Sequence, residues 1–150
     1  MAEPIDDVEG DYTLDEIRYS DSLRKRLRRV NLNSINFEFG SWDVREDQVG
    51  NLQEVANVIK RILERQPEEV FMIAGHTDAV GSDEDNLSLS DRRAETVARV
   101  LTDEFGVPPE NLVTQGYGEQ DLYVPTQGPE IRNRRVEFLR ITPFLAQKEE

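Results

Sequence analysis

Two periodicities alternate along the chain. Ile35, Phe37 and Phe39 alternate with Ser34, Asn36 and Glu38, the two-residue repeat of a strand with one buried face, and Gly40 with Ser41 ends it. Leu52, Val55, Ala56, Ile59, Ile62 and Leu63 then recur at helical spacing, and Pro67 predicts that this long amphipathic helix stops near Arg65 or Gln66. Val70-Phe71-Met72-Ile73-Ala74 is a continuous apolar run of strand length, expected at the centre of a sheet covered on both sides. A loop is predicted from Gly75 to about Leu89. Ser90 then offers a helix cap, and Ala94, Val97, Ala98, Leu101 and Phe105 form the buried stripe of a second long helix, terminated by Gly106 and Pro108. Leu112-Val113-Thr114 predicts a short strand before the Gly116-Tyr117-Gly118 turn, and Val136 to Ile141 a last strand.

Upstream the pattern differs. Residues 1–12 are rich in acidic side chains with little to bury and are expected to be a flexible acidic tail. Thr13-Leu14-Asp15-Glu16 has capping-box spacing, and Leu14, Ile17, Leu23, Leu27 and Val30 can share one face of a helix running to about residue 29. That gives four expected segments: the tail, an amino-terminal helix with a basic face over 13–30, a domain over 31–142, and a polar tail over 143–150. The βαβαββ order of the main domain predicts an α/β two-layer sandwich, a mixed sheet with helices packed on one face and right-handed connections between parallel strands.

Composition narrows the function classes. The chain has 150 residues, enough for one domain with a real core, and a formal charge of −13 that disfavours nucleic acid as a partner. It has no cysteine, which removes disulfide and thiol chemistry. No run of apolar residues approaches the length of a spanning helix, so the expectation is a soluble domain that meets a membrane only through a segment absent from this chain. Whether a signal, barrel or lipid anchor precedes it stays open.

Candidate chemistry concentrates in Gly75-His76-Thr77-Asp78-Ala79-Val80-Gly81, at the carboxyl end of the buried strand, where open α/β sheets bind ligands. Asn86, Leu89, Ser90 and Arg93 follow, so an acid and a base are expected to face one pocket from opposite ends of a loop. The plainer alternatives are an Asx-turn for Asp78, a surface ion pair for Arg93 and a turn role for Asn86. His76 is the only histidine, which with no cysteine argues against a transition-metal site, and Asp83-Glu84-Asp85 lacks the ligand spacing of a calcium loop. Neither a nucleophile elbow nor a phosphate-binding loop motif occurs, so no catalysis and no cofactor are expected.

Gly75-His76-Thr77-Asp78, Gly81, Asn86, Leu89-Ser90, Arg93-Ala94, Gly116-Tyr117-Gly118 and Asn133-Arg134-Arg135-Val136 together resemble, in order and spacing, the signature of OmpA-like carboxyl-terminal domains. The resemblance spans about residues 33–141. It implies a non-catalytic periplasmic module, as in outer-membrane proteins, peptidoglycan-associated lipoproteins and flagellar stator proteins, that holds peptidoglycan through the diaminopimelate of its stem peptide. On that reading Asp78 accepts from the ligand ammonium and Arg93 grips its carboxylate. Thr77, Asn86 and Leu89 match pocket-lining positions, and Phe39 and Ser41 are neighbours of the ligand. The chain departs from the family pattern at Thr126-Gln127-Gly128-Pro129-Glu130, where Pro129 replaces the usual arginine. Outside the resemblance, Arg24-Lys25-Arg26-Leu27-Arg28-Arg29 forms a cationic segment suited to lipid headgroups, glycan or an envelope protein partner. A scaffold module and a stator-type wall anchor are the alternatives to an envelope anchor, and the oligomeric state stays open.

Overall fold

The computed structural model describes residues 12–20, 22, 28, 29 and 35–142. The expected acidic and polar tails, except for Tyr12, lie outside these residues, as do Arg24, Lys25, Arg26, Leu23, Leu27 and Val30.

Helix α1 covers Leu14–Tyr19 and starts with the expected capping box, in which Thr13 Oγ1 accepts from the Glu16 amide and Glu16 accepts from the Thr13 amide. The helix does not run on to residue 29. Ser20 is extended, and Arg28–Arg29 form strand β1, paired antiparallel with the last strand at Arg140 and Leu139. A sheet edge with unpaired backbone groups outweighs the helical preference of a polar segment.

The remaining elements are β2 (Ile35–Asn36), α2 (Val49–Arg65), β3 (Phe71–Gly75), α3 (Asp83–Asp103), β4 (Leu112–Gly116) and β5 (Arg135–Arg140). Strands run in the order β1-β5-β3-β4, with β2 also paired to β5. β3 lies parallel to β4 and antiparallel to β5, which makes the sheet mixed. Alternate residues of β3 serve opposite faces, as a two-residue repeat demands. Phe71 and Ile73 join Phe37, Val136 and Phe138 beneath the stripes of α2 and α3, while Met72 and Ala74 meet Ile17, Tyr117, Leu139 and Ile141 on the other face. The two-layer α/β arrangement is therefore the expected one, and α1 adds a short cover on the far face.

α3 begins at Asp83, not after Ser90. Ser82 is the cap, accepting from the Asp85 amide, and the acidic run Asp83-Glu84-Asp85 forms the first turn, where negative charge suits the positive end of the helix dipole. Ser90 is instead buried where α3 touches the sheet. A Cβ on Gly75 would lie 2.0 Å from the Ser90 carbonyl oxygen, and one on Gly116 would lie 2.4 Å from the Asp91 amide. Hydrogen bonds fill the gap that these glycines allow: Gly118 N donates to Ser90 Oγ at 2.8 Å and Gly116 N to Asp91 Oδ1 at 2.7 Å. The helix thus rests on backbone at the carboxyl ends of β3 and β4.

At the opposite end of the sheet, Glu69 is buried and receives Arg140 in a two-bond grip of 2.9 and 2.7 Å. The Arg140 guanidinium holds the Glu69 carboxyl below its ordinary pKa. Two outcomes follow. Gly75→Ala should lose about 3 kcal/mol or more in urea denaturation, because backbone, not a yielding side chain, meets the new methyl. The ionised Glu69 stabilises the fold at and above the pKa of an unfolded glutamate, and that contribution disappears as pH falls through the depressed folded value. Glu69→Gln should consequently lower stability at neutral pH and flatten the acid side of the stability–pH curve.

Candidate functional site

β3 delivers its carboxyl end into the segment 76–81, and both backbone groups of this turning point are claimed. His76 N donates to Arg135 O at 2.8 Å, and Thr77 N donates to Gly118 O at 2.9 Å. Asp78 follows and is buried. Its Oδ1 accepts from Val80 N at 3.3 Å, the Asx-turn that its position suggests, while Oδ2 accepts from Glu130 N at 3.2 Å and from Arg134 Nη1 at 2.9 Å. Arg134, which the sequence reading left out of the pocket residues it named, is therefore the ion-pair partner of Asp78. The Asn133-Arg134-Arg135 run was the available signal.

Arg93 lies in the third turn of α3 and is fully buried. Its Nε donates to Ser41 O at 2.7 Å, Nη1 to His76 O at 3.0 Å and Nη2 to Glu38 O at 3.2 Å, and its guanidinium sits 5.1 Å over the Phe37 ring. Among the described residues Arg93 forms no ion pair. Burial, followed by the charge of Arg134, pushes its pKa down to about 10, with Asp78 acting in the opposite direction. It remains charged at neutral pH.

The expectation of Asp78 and Arg93 at two ends of one loop is corrected by the early start of α3, which places Asn86, Leu89, Ser90 and Arg93 all on the helix. Asn86 acts as a clamp: its Nδ2 donates to Asp78 O, Val80 O and, at 2.8 Å, Glu119 Oε1. Leu89 is half-buried, and none of the hydrogen bonds or ion pairs that build the centre involves it. Ser41 takes part through its main-chain carbonyl, and Phe39 stands exposed with its ring 6.0 Å from the Arg134 guanidinium. Thr77 is buried, and its Oγ1 has no hydrogen-bond partner among the described residues. His76 stacks on Tyr117, with ring centroids 5.8 Å apart.

The segment around Gly128-Pro129 closes one side. Asn133, fully buried, accepts from Val124 N at 2.7 Å and donates to Val124 O at 2.9 Å, and Arg135 reaches Glu137 at 2.6 Å and the Asp121 carbonyl at 3.0 Å. Glu130 brings the segment onto Asp78 through its amide, and its own carboxylate is held by Arg132, which lowers its pKa.

A two-layer α/β domain with a charged centre buried at the carboxyl ends of its inner strands is thus defined. The chain belongs to the OmpA family, whose model matches residues 36–135. It is 36% identical over 111 residues to outer membrane porin F of Pseudomonas aeruginosa, covering 73% of this chain and 30% of that protein. It is 39% identical over 85 residues to the peptidoglycan-associated lipoprotein of Legionella pneumophila, covering 55% and 48%. The crystal structure of the peptidoglycan-associated lipoprotein from Burkholderia pseudomallei superposes with a TM-score of 0.64 at 26% identity, over 84% of this chain and 99% of that one. The carboxyl-terminal domain of Helicobacter pylori MotB gives 0.62 at 26%, over 72% and 83%. The chain spans less than half the length of these two curated relatives.

Removing the Arg93 fork strands three carbonyl acceptors at once. Arg93→Met should destabilise the domain by about 3 kcal/mol or more in urea titration. Arg93→Lys should recover only part of this, since one ammonium cannot serve three diverging carbonyls.

Proposed function

We propose that this chain binds peptidoglycan non-covalently through the diaminopimelate of the stem peptide, and so anchors the envelope or outer membrane to the cell wall from the periplasm. The carrying observation is the buried pairing itself: Arg134 holds Asp78 at 2.9 Å, and Arg93, without an ion pair among the described residues, lies close enough to feel both charges. Such a centre can pair both ends of a zwitterion, an ammonium on the Asp78 carboxylate and a carboxylate on the guanidinium groups.

The ligand ammonium takes the place of Arg134 at Asp78. Its carboxylate meets the released Arg134 and the two N–H groups of Arg93 that no carbonyl uses, of the five a guanidinium carries. Thr77 Oγ1, buried beside Asp78 with no hydrogen-bond partner among the described residues, supplies a further hydrogen bond. Asn86 shapes the loop and touches the ligand only through it. Phe39 and Ser41 belong to the turn that borders the centre. The names of the relatives from Legionella pneumophila and Burkholderia pseudomallei support this reading. Of the cationic segment proposed to meet an envelope protein, Arg28 and Arg29 lie in β1, and Arg24, Lys25 and Arg26 lie outside the described residues.

Sedimentation with purified peptidoglycan tests the proposal. The wild-type domain should pellet, and free diaminopimelate, but not lysine, should return it to the supernatant. Thr77→Val replaces an unpaired buried hydroxyl by a methyl of the same shape, so stability should hold or rise by about 1 kcal/mol while pelleting falls. Pelleting of Thr77→Val and Asp78→Asn at the wild-type level would overturn the assignment.

A further inference from the structure

Two large aromatic side chains, Phe39 and Trp42, stand 60% and 41% exposed on the segment that follows β2. They are held, not dangling. Ser41 N donates to Glu38 O at 3.1 Å to close a turn in which Gly40 adopts φ 71°, a value that favours glycine, and Asp43 N donates to Ser41 Oγ at 3.1 Å. Arg93 fastens both ends of the same turn through the carbonyls of Glu38 and Ser41. Phe39 occupies the corner and points outward, whereas Phe37, two residues earlier, is fully buried. Each exposed ring has a cation beside it: Arg134 at 6.0 Å from Phe39 and Arg92 at 4.8 Å from Trp42.

Leaving such rings in water forgoes burial worth roughly 1.5–3 kcal/mol for a large apolar side chain, and a tied turn that exposes two of them three residues apart suits a ligand with flat C–H faces. Nucleic-acid bases are disfavoured by the charge of −13. The faces of pyranose sugars, edged with C–H groups, match the electron-rich ring faces.

We propose that Phe39 and Trp42 form a saccharide platform on the lip of the Asp78 centre, taking the N-acetylated amino sugars of the glycan strand from which the bound stem peptide hangs. The inference rests on the wall-binding reading above. Reach supports it: diaminopimelate is the third residue of its stem, and three extended residues span at most about 10 Å. Phe39 touches the shell of Arg134, which is itself 2.9 Å from Asp78, and Trp42 adjoins the carbonyl that Arg93 holds. A peptide seated at Asp78 therefore brings its sugar to this turn.

The test compares two soluble probes by calorimetry, a stem tripeptide ending in diaminopimelate and the same peptide carried on its disaccharide. Wild type should bind the disaccharide form about tenfold tighter, equivalent to ~1.4 kcal/mol. Trp42 is the only tryptophan, so its emission should shift with the disaccharide probe and stay unmoved with the bare peptide. Trp42→Ala should abolish most of the difference while keeping wild-type affinity for the bare peptide, and Phe39→Ala should shrink the ratio between the probes. Equal wild-type binding of both probes, or a Trp42→Ala variant that keeps the tenfold difference, would overturn the platform alone. Failure of wild type to bind either probe would remove the peptide reading and the platform together.

Discussion

Arg93 carries a positive charge into a place where water cannot follow, and much of the local architecture is arranged to make that tolerable. Desolvating a cation costs several kcal/mol even after the protein relaxes, so its donors must find acceptors. They find three main-chain carbonyls from two segments: Glu38 and Ser41 in the turn after β2, and His76 just past β3. One side chain on α3 thereby ties the turn after β2 to the exit of β3. Arg93 is at once a structural tie and part of the charged centre, and the two roles cannot be removed separately by deleting the side chain.

The helix bearing Arg93 is fixed by contacts of a different kind. Gly75 and Gly116 let the backbone of α3 lie against the ends of β3 and β4, with Ser90 and Asp91 bonded directly to strand-end amides. Side chains can shift by rotamer changes, but backbone pressed on backbone has little freedom. The guanidinium is therefore placed by the sheet itself, while Asp78 is placed by its Asx-turn, the Glu130 amide and Arg134. On the proposed reading, a single pocket of this kind gains strength from repetition, since the same stem-peptide end recurs many times along a cell wall.

Much of this was legible in the sequence. The helical stripe ending at Arg65, the apolar run of β3 and the stripe from Ala94 to Leu101 each carry one strong period and fold accordingly, whereas the Ile35, Phe37, Phe39 alternation holds only in part: β2 is Ile35–Asn36, Phe37 is buried and Phe39 stands exposed in the turn. Asp78 and Arg93 were visible as chemistry within spaced blocks. The start of α3 was not, because Asp83-Glu84-Asp85 reads as a solvated charge run unless the Ser82 cap and the helix dipole are weighed together. Strand β1 was hidden for another reason: pairing of Arg28 and Arg29 with β5 is a long-range event that local propensity does not encode. Arg134 was missed because its partner lies 56 residues away and the run around it also carries Asn133 and Arg135, whose bonds serve the fold.

The segment from Glu119 to Glu130 touches the rest of the site at a few tied points: the Glu119 carboxylate on Asn86, Val124 on Asn133, and the Glu130 amide on Asp78. Between those ties the chain crosses the surface with little sheet or helix of its own. Such a strap can change in length or stiffness while its knots stay where they are, and Gly128-Pro129 lies between two of them. On the proposed reading, the rim that a ligand meets first lies on this strap, apart from the charges at the bottom, so that admission and grip belong to separate parts of the chain.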